Sequence, residues 1–151
     1  MNYPLIIGIG NEFRGDDAIG IIIARKLKED FPVLEIVESR NELELIDYFI
    51  NYDKIVLIDA IDSEQDEKGS IKKFTIDKDF EFSRLNFFSS HSISLSEILQ
   101  IAEMIGHLPA TLIILGISCS NFQLGSSISF DIDKTYHLIK DELKNILDNF
   151  D

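Results

Sequence analysis

The sequence is poor in the residues that mark several classes of protein. It has one cysteine, Cys119, no tryptophan and three prolines among 151 residues. A single cysteine cannot form an internal disulfide, which argues against a disulfide-stapled secreted scaffold and makes the cytoplasm the expected compartment. Residues 1–4 carry no basic segment, and the apolar run behind them is broken at Gly8 and Gly10. We therefore expect neither a signal peptide nor a membrane span.

Basic residues are scarce as well. Fourteen Lys and Arg stand against 27 Asp and Glu, which gives a formal net charge of −13. Binding to a phosphate backbone needs clustered Lys and Arg that release counterions, so the composition argues against a nucleic-acid partner. Hydrophobic residues nevertheless make up 45% of the chain, and a chain of this length can bury about two thirds of its unfolded surface. We predict one domain over residues 1–151.

The hydrophobic pattern predicts strands and helices in alternation. Apolar runs predict five strands, at residues 5–9, 33–37, 54–62, 71–76 and 112–117. Apolar spacings of three and four predict helices over residues 18–29, 94–106 and 132–150, and a short helix whose apolar stripe is Leu43, Ile46 and Ile50. Residues 77–90 form an irregular segment rich in phenylalanine. It is predicted to be a loop that covers a site or packs on the core.

The order of these segments predicts the architecture. The fourth strand follows a loop too short for a crossover helix, so we expect it to be an antiparallel edge strand. The remaining order is that of a parallel sheet with helices on both faces. The predicted fold is a single three-layer α/β/α domain with a mostly parallel sheet of about five strands.

The turn after the first strand resembles a dinucleotide-binding fingerprint only in part. Gly8-Ile9-Gly10 is followed by Phe13 where the third glycine would stand, and Asp16 and Asp17 occupy the helix start where a pyrophosphate would bind. A plainer interpretation is a tight turn with Asp16 as the helix N-cap. The N-cap accounts for one aspartate but leaves the second unexplained.

Two carboxylates and an imidazole form a candidate metal site. Asp17 comes after the end of the first strand, Asp59 stands in the acidic end of the strand at 54–62, which is predicted to lie beside the first, and His91 precedes a helix. Such a set suits Zn, Ni, Mn or Fe and leaves coordination positions open. As an alternative, Cys119 could act as a nucleophile with His91 as its base. A buried small hydrophobe is the more usual role of a lone cysteine.

Four segments together resemble the hydrogenase maturation endopeptidases. They are Gly8-Ile9-Gly10-Asn11, Asp16-Asp17-Ala18-Ile19-Gly20, Leu57-Ile58-Asp59-Ala60 and Ser90-His91-Ser92. The resemblance implies an α/β/α domain that removes the C-terminal peptide of a nickel-iron hydrogenase large-subunit precursor after nickel insertion. It places the family's metal-contacting residues at Asp17, Asp59 and His91, with Asp17 and Asp59 also as the catalytic carboxylates. Gly8 and Gly10 would then let a substrate backbone approach.

The resemblance also implies that the nickel is carried by the substrate, with another divalent metal as a possible substitute. The only expected partner is the precursor, and this chain is expected to bind it as a monomer. Whether the metal activates a water or a carboxylate acts as general base stays open. The alternative is a non-catalytic maturation factor that binds the metal-loaded subunit. Residues 38–42 and 118–121 differ from the family's usual Gly-Gly-Thr and Glu-Pro segments, and both should border the cleft.

Overall fold

The computed structural model describes residues 2–89 and 93–150. Its strands are β1 Leu5–Ile9, β2 Ile36–Ser39, β3 Lys54–Asp62, β4 Ile71–Ile76 and β5 Thr111–Cys119. Its α-helices are α1 Ile19–Asp30, α2 Leu45–Asn51, α3 Leu95–Met104 and α4 Ile132–Asp148. Short 3₁₀ turns occupy Gly15–Ala18, Glu42–Glu44 and Phe82–Arg84.

The five strands form one sheet in the order β2-β1-β3-β5-β4. The first four are parallel, and β4 runs antiparallel to β5 at the edge. The predicted three-layer domain and its antiparallel edge strand are therefore confirmed. In a parallel sheet all carboxyl ends of the strands meet at one edge, where α/β proteins place their sites.

The sheet divides the core into two apolar layers. Alternate residues of β1 point to opposite faces, so Ile6 packs with α1 and α4 whereas Leu5 and Ile7 pack with α2 and α3. The three central parallel strands, β1, β3 and β5, are buried on both faces, which explains their long apolar runs. Within residues 2–89 and 93–150, no helix combines the length and the apolar content needed to cross a membrane.

Two boundary predictions are wrong. The predicted second strand begins at Ile36 rather than at Val33, whose side chain is 79% exposed. The short helix buries Leu45 and Phe49 instead of the predicted stripe, and Leu43 lies outside it in the 3₁₀ turn Glu42–Glu44. A 3₁₀ turn has three residues per turn, so the apolar spacing before it does not continue into the α-helix.

Helix α3 begins as its sequence predicts. The Ser94 hydroxyl accepts a hydrogen bond from the Glu97 amide, and the Glu97 carboxylate accepts one from the Ser94 amide. Before it, the described part of the irregular segment lies along the end of β3, where Ile61 forms a β-bridge with Phe87. The Phe88 ring stacks on Phe122 with ring centroids 4.0 Å apart. This stack joins the irregular segment to the loop after β5.

An ion-pair cluster ties α1 to the turns that follow β1 and β2. It consists of Glu12, Arg25, Lys28, Glu38 and Arg40. Burial raises the pKa of the Glu38 carboxyl, but hydrogen bonds from Lys28, Arg25 and Arg40 outweigh that effect and lower it to about 2. The carboxylate is therefore stabilised by folding, and the cluster strengthens the edge of the sheet beside the site.

We predict that Glu38→Gln destabilises the protein at pH 7 by about 1 kcal/mol, the scale of an ion pair whose partners are half exposed. Because the Glu38 pKa falls from 4.5 to about 2 on folding, the contribution is present above pH 4.5 and is lost as the pH falls toward 2. Urea unfolding of both proteins across this range measures it, with the exposed Glu103→Gln as control. A stability difference that stays constant down to pH 2 would contradict the assignment.

Candidate functional site

The candidate site lies at the carboxyl edge of the sheet, where β1 and β2 end beside the longer strand β3. Pairing of β1 with β3 reaches Gly8 and Ile58, so Asp59 is the next residue along β3 beyond this pairing. Beyond Ile9 the chain leaves the sheet and turns into the 3₁₀ turn Gly15–Ala18 and then α1. This departure places the turn and the start of α1 over the carboxyl edge of the sheet, and the region between them and Asp59 is called the cleft below.

Glycines bring α1 unusually close to the sheet. A Cβ on Gly8 would lie 2.2 Å from the Gly20 carbonyl oxygen, and one on Gly20 would lie 2.0 Å from the Ile9 carbonyl oxygen. A Cβ on Gly10 would likewise lie 2.2 Å from the Asp17 carbonyl oxygen. The expectation that Gly8 and Gly10 admit a substrate backbone is therefore wrong, because the space beside them is filled by the protein's own turn and helix.

The close approach of α1 to the sheet places Asp17 at the cleft. Its side chain is 4% exposed. Burial is the main cause that raises the pKa of the Asp17 carboxyl to about 8, and the charge of Glu42 adds to it. The backbone of Asn11 and the charge of Arg14 act in the opposite direction without cancelling the rise. The carboxyl is thus held where a proton or a cation would be taken up readily.

Asp59 lies at the same edge and is 1% exposed. Its Oδ1 accepts a hydrogen bond of 2.8 Å from the Ala60 amide, whereas its Oδ2 has no hydrogen-bond partner among the described residues. Burial, followed by the charge of Asp17 and then that of Glu42, raises the pKa of Asp59 well above its usual value. The structure therefore brings Asp17 and Asp59 together as coupled carboxyls.

Glu42 is a third buried carboxylate that the sequence did not reveal. It is 4% exposed, and its Oε2 has no hydrogen-bond partner in the part of the chain that the structure describes. Its charge acts on both Asp17 and Asp59. The signals in the sequence are its position shortly after the end of β2 and its place in the segment 38–42, which is expected to border the cleft.

Asp16 has a different role from its neighbour and is not the helix N-cap that the sequence predicts. Its buried carboxylate accepts hydrogen bonds from the amides of Ser120, Asn121 and Ser129 at 3.1, 3.0 and 2.7 Å. The Ser129 hydroxyl adds contacts of 3.1 and 2.8 Å. Asp16 therefore anchors the loop after β5 to the turn that carries Asp17.

Cys119 is buried, as predicted for a small hydrophobe. Its Sγ donates to the Ile117 carbonyl at 3.2 Å. Burial, followed by the charges of Asp16, Asp59 and Asp17, raises the pKa of the Cys119 thiol far above its usual value. A thiol in this environment stays protonated, which argues against the nucleophile hypothesis.

His91, the third member of the predicted metal site, lies outside the described residues. Within residues 2–89 and 93–150 no three His, Cys, Asp or Glu side chains group closely enough to hold a metal ion. Asp17 and Asp59 supply two carboxylates. A complete ligand set at this edge thus needs donors from beyond the described part of the chain.

Comparison with known proteins shows which family the chain belongs to. A model of the hydrogenase maturation protease family matches residues 23–146. The chain belongs to this family. The members are endopeptidases, and their function is the C-terminal processing of the hydrogenase large subunit. The sequence resemblance and the activity it implied are confirmed.

Two relatives and two solved structures illustrate the similarity. A Methanocaldococcus jannaschii protein named as a hydrogenase maturation protease is 34% identical over 126 residues, covering 75% of this chain and 70% of the relative. Hydrogenase 2 maturation protease of Escherichia coli is 29% identical over 119 residues, covering 75% of this chain and 71% of the relative. HybD from E. coli superimposes with a TM-score of 0.70 at 23% identity, over 94% of this chain and 92% of its own. HycI from Thermococcus kodakarensis gives a TM-score of 0.68 at 25% identity, over 98% and 94%.

We predict that substitutions of the two adjacent aspartates change stability in opposite directions. Asp16→Asn places an NH₂ group against backbone N–H donors and removes charged hydrogen bonds, so it should cost about 2 kcal/mol or more. Asp17→Asn removes a buried carboxyl with little compensation and should stabilise the protein by about 1 kcal/mol. Urea unfolding at pH 7 in EDTA measures both. The assignment of roles would be refuted if both variants shifted stability in the same direction.

Proposed function

We propose that this chain removes the C-terminal peptide of a nickel-iron hydrogenase large-subunit precursor after nickel insertion, and that it recognises the precursor by its metal. The nickel belongs to the precursor in this proposal and is therefore part of the substrate. We expect the protein to act in the cytoplasm as a monomer that meets the precursor transiently. The membership of the family supports the peptidase activity, and the residues of the cleft support the recognition of a cation.

The observation that carries the metal proposal is the state of Asp59. A buried carboxylate oxygen without a hydrogen-bond partner lowers the stability of the fold by several kcal/mol. Oδ2 of Asp59 is such an oxygen among the described residues, so it can bind a cation or a hydrogen-bond donor. Asp17 adds a second buried carboxyl beside it. Oxygen donors of this kind fit Ni²⁺ as well as other divalent ions. We propose that Asp17, Asp59 and His91 contact the metal of the precursor.

The peptidase chemistry can follow two routes from these groups. In the first, the metal of the precursor polarises the scissile carbonyl or activates a water. In the second, Asp17 or Asp59 is the general base that takes a proton from the attacking water. A cation beside either carboxyl favours its anionic form, which is the form that both routes need. Either way, the two carboxyls orient the metal and the water relative to the peptide bond.

We predict that Asp17→Asn lowers the rate of precursor processing by at least about 100-fold, the scale lost with one acid–base or ligand group. The assay mixes purified protein with nickel-loaded precursor and follows the intact mass of the large subunit. Asp148→Asn is the matched control, since its side chain is exposed at the far end of α4. This control variant should process the precursor at the wild-type rate.

Three outcomes separate the parts of the proposal. Equal cleavage of nickel-loaded and metal-free precursor would overturn recognition through the metal but leave the peptidase assignment standing. Tight binding of the loaded precursor without a change in its mass would favour a non-catalytic maturation factor. Wild-type cleavage by Asp17→Asn would remove Asp17 from the site.

A further inference from the structure

Glu42 is a buried acid whose Oε2 has no hydrogen-bond partner among the described residues, and neither route of the peptidase chemistry involves it. We propose that Glu42 is a specificity-determining residue, whose unpartnered carboxylate oxygen faces the divalent cation that the precursor brings and makes the cleft prefer metal-loaded over metal-free precursor. The inference rests on the proposed function and names a residue for one of its properties, the recognition of the metal.

The backbone around Glu42 is fixed by a chain of hydrogen bonds. The Gly10 amide donates to the Ser39 carbonyl at 3.1 Å, which continues the β1–β2 pairing past the strand ends. The Ser39 hydroxyl donates to the Asn41 carbonyl, and the Leu43 amide donates to the Asn41 side chain, each at 3.0 Å. The turn is thereby held with Glu42 inward, while its neighbours Leu43 and Glu44 are exposed.

The same protein shows how a structural carboxylate is satisfied. Asp16 is equally buried, and its two oxygens receive hydrogen bonds from backbone amides and a hydroxyl. The Oε2 of Glu42 and the Oδ2 of Asp59 have none among the described residues. Burying an unpaired carboxylate costs stability, and most buried polar groups are paired. The contrast indicates that the free oxygens serve a ligand rather than the fold.

The charge balance of the cleft points to a cation as that ligand. Glu42 is close enough to Asp17 and Asp59 for its charge to act on both, and among the described residues Arg14 is the cation whose charge acts on Asp17. Three acidic groups against one basic group leave the cleft attractive to a positive ion. No three of the described donors could hold a metal on their own. Glu42 therefore acts on an ion delivered with other ligands, as the precursor delivers it.

The experiment compares binding of metal-loaded and metal-free precursor by wild type and variants at pH 7. The measured quantity is the ratio of the two dissociation constants. Glu42→Gln should lower this preference about tenfold, the low end of effects from groups around a metal. Glu44→Gln, in the same turn but exposed, should keep the wild-type preference. Glu42→Asp, which retains the charge, should restore part of it.

The readouts distinguish a role in recognition from a role in folding. Glu42→Gln should raise KM for loaded precursor while kcat changes little, and its thermal unfolding should not fall below that of wild type, because it removes an unpaired buried charge. If Glu42→Gln kept the wild-type preference for metal-loaded precursor while Asp17→Asn lost it, the role of Glu42 would be refuted. The proposed recognition of the metal would still stand. A wild type without any preference would overturn the metal recognition in the proposed function instead.

Discussion

The close approach of α1 to the sheet is the constraint on which the rest of the site depends. Gly8 and Gly20 face each other where any side chain would strike backbone oxygen. With α1 pressed against the sheet, the turn before it must sit at the carboxyl edge, so Asp16 and Asp17 enter the protein side by side. Without this contact, neither the anchor of the loop after β5 nor the acidic wall of the cleft would form.

The buried acids of this edge divide into two kinds. Asp16 is fully hydrogen-bonded and contributes to stability, whereas Asp17, Asp59 and Glu42 share a region with little compensating positive charge. Such an arrangement lowers the stability of the isolated protein and raises its attraction for a cation. The protein tolerates this arrangement because the unpaired acids are few and the strands around them are well packed.

The sequence predicts β1, β3 and β5 well because these strands are buried on both faces and have long apolar runs. It fails at α2, where the 3₁₀ turn Glu42–Glu44 shifts the helical phase, and at Val33, which is apolar yet exposed. Asp59 could be found because it interrupts the apolar run of β3 near its carboxyl end, and Asp17 because it lies in the turn between β1 and α1. The hydrophobic pattern does not show that Glu42 points inward. The partners of Asp16 lie more than 100 residues along the chain, so local sequence could not predict its role.

That distance has a consequence for the order in which the molecule is made. Asp16 is separated from Ser129 by 113 residues, so at ribosomal speeds the anchor waits about 6 to 23 s for its last partner to be synthesised. Until then the turn that carries Asp17 lacks the hydrogen bond from Ser129, although the residues of β1 and α1 have already been synthesised. A growing chain that has not reached Ser129 therefore lacks this hydrogen bond, and the turn that carries Asp17 is fixed only late in synthesis.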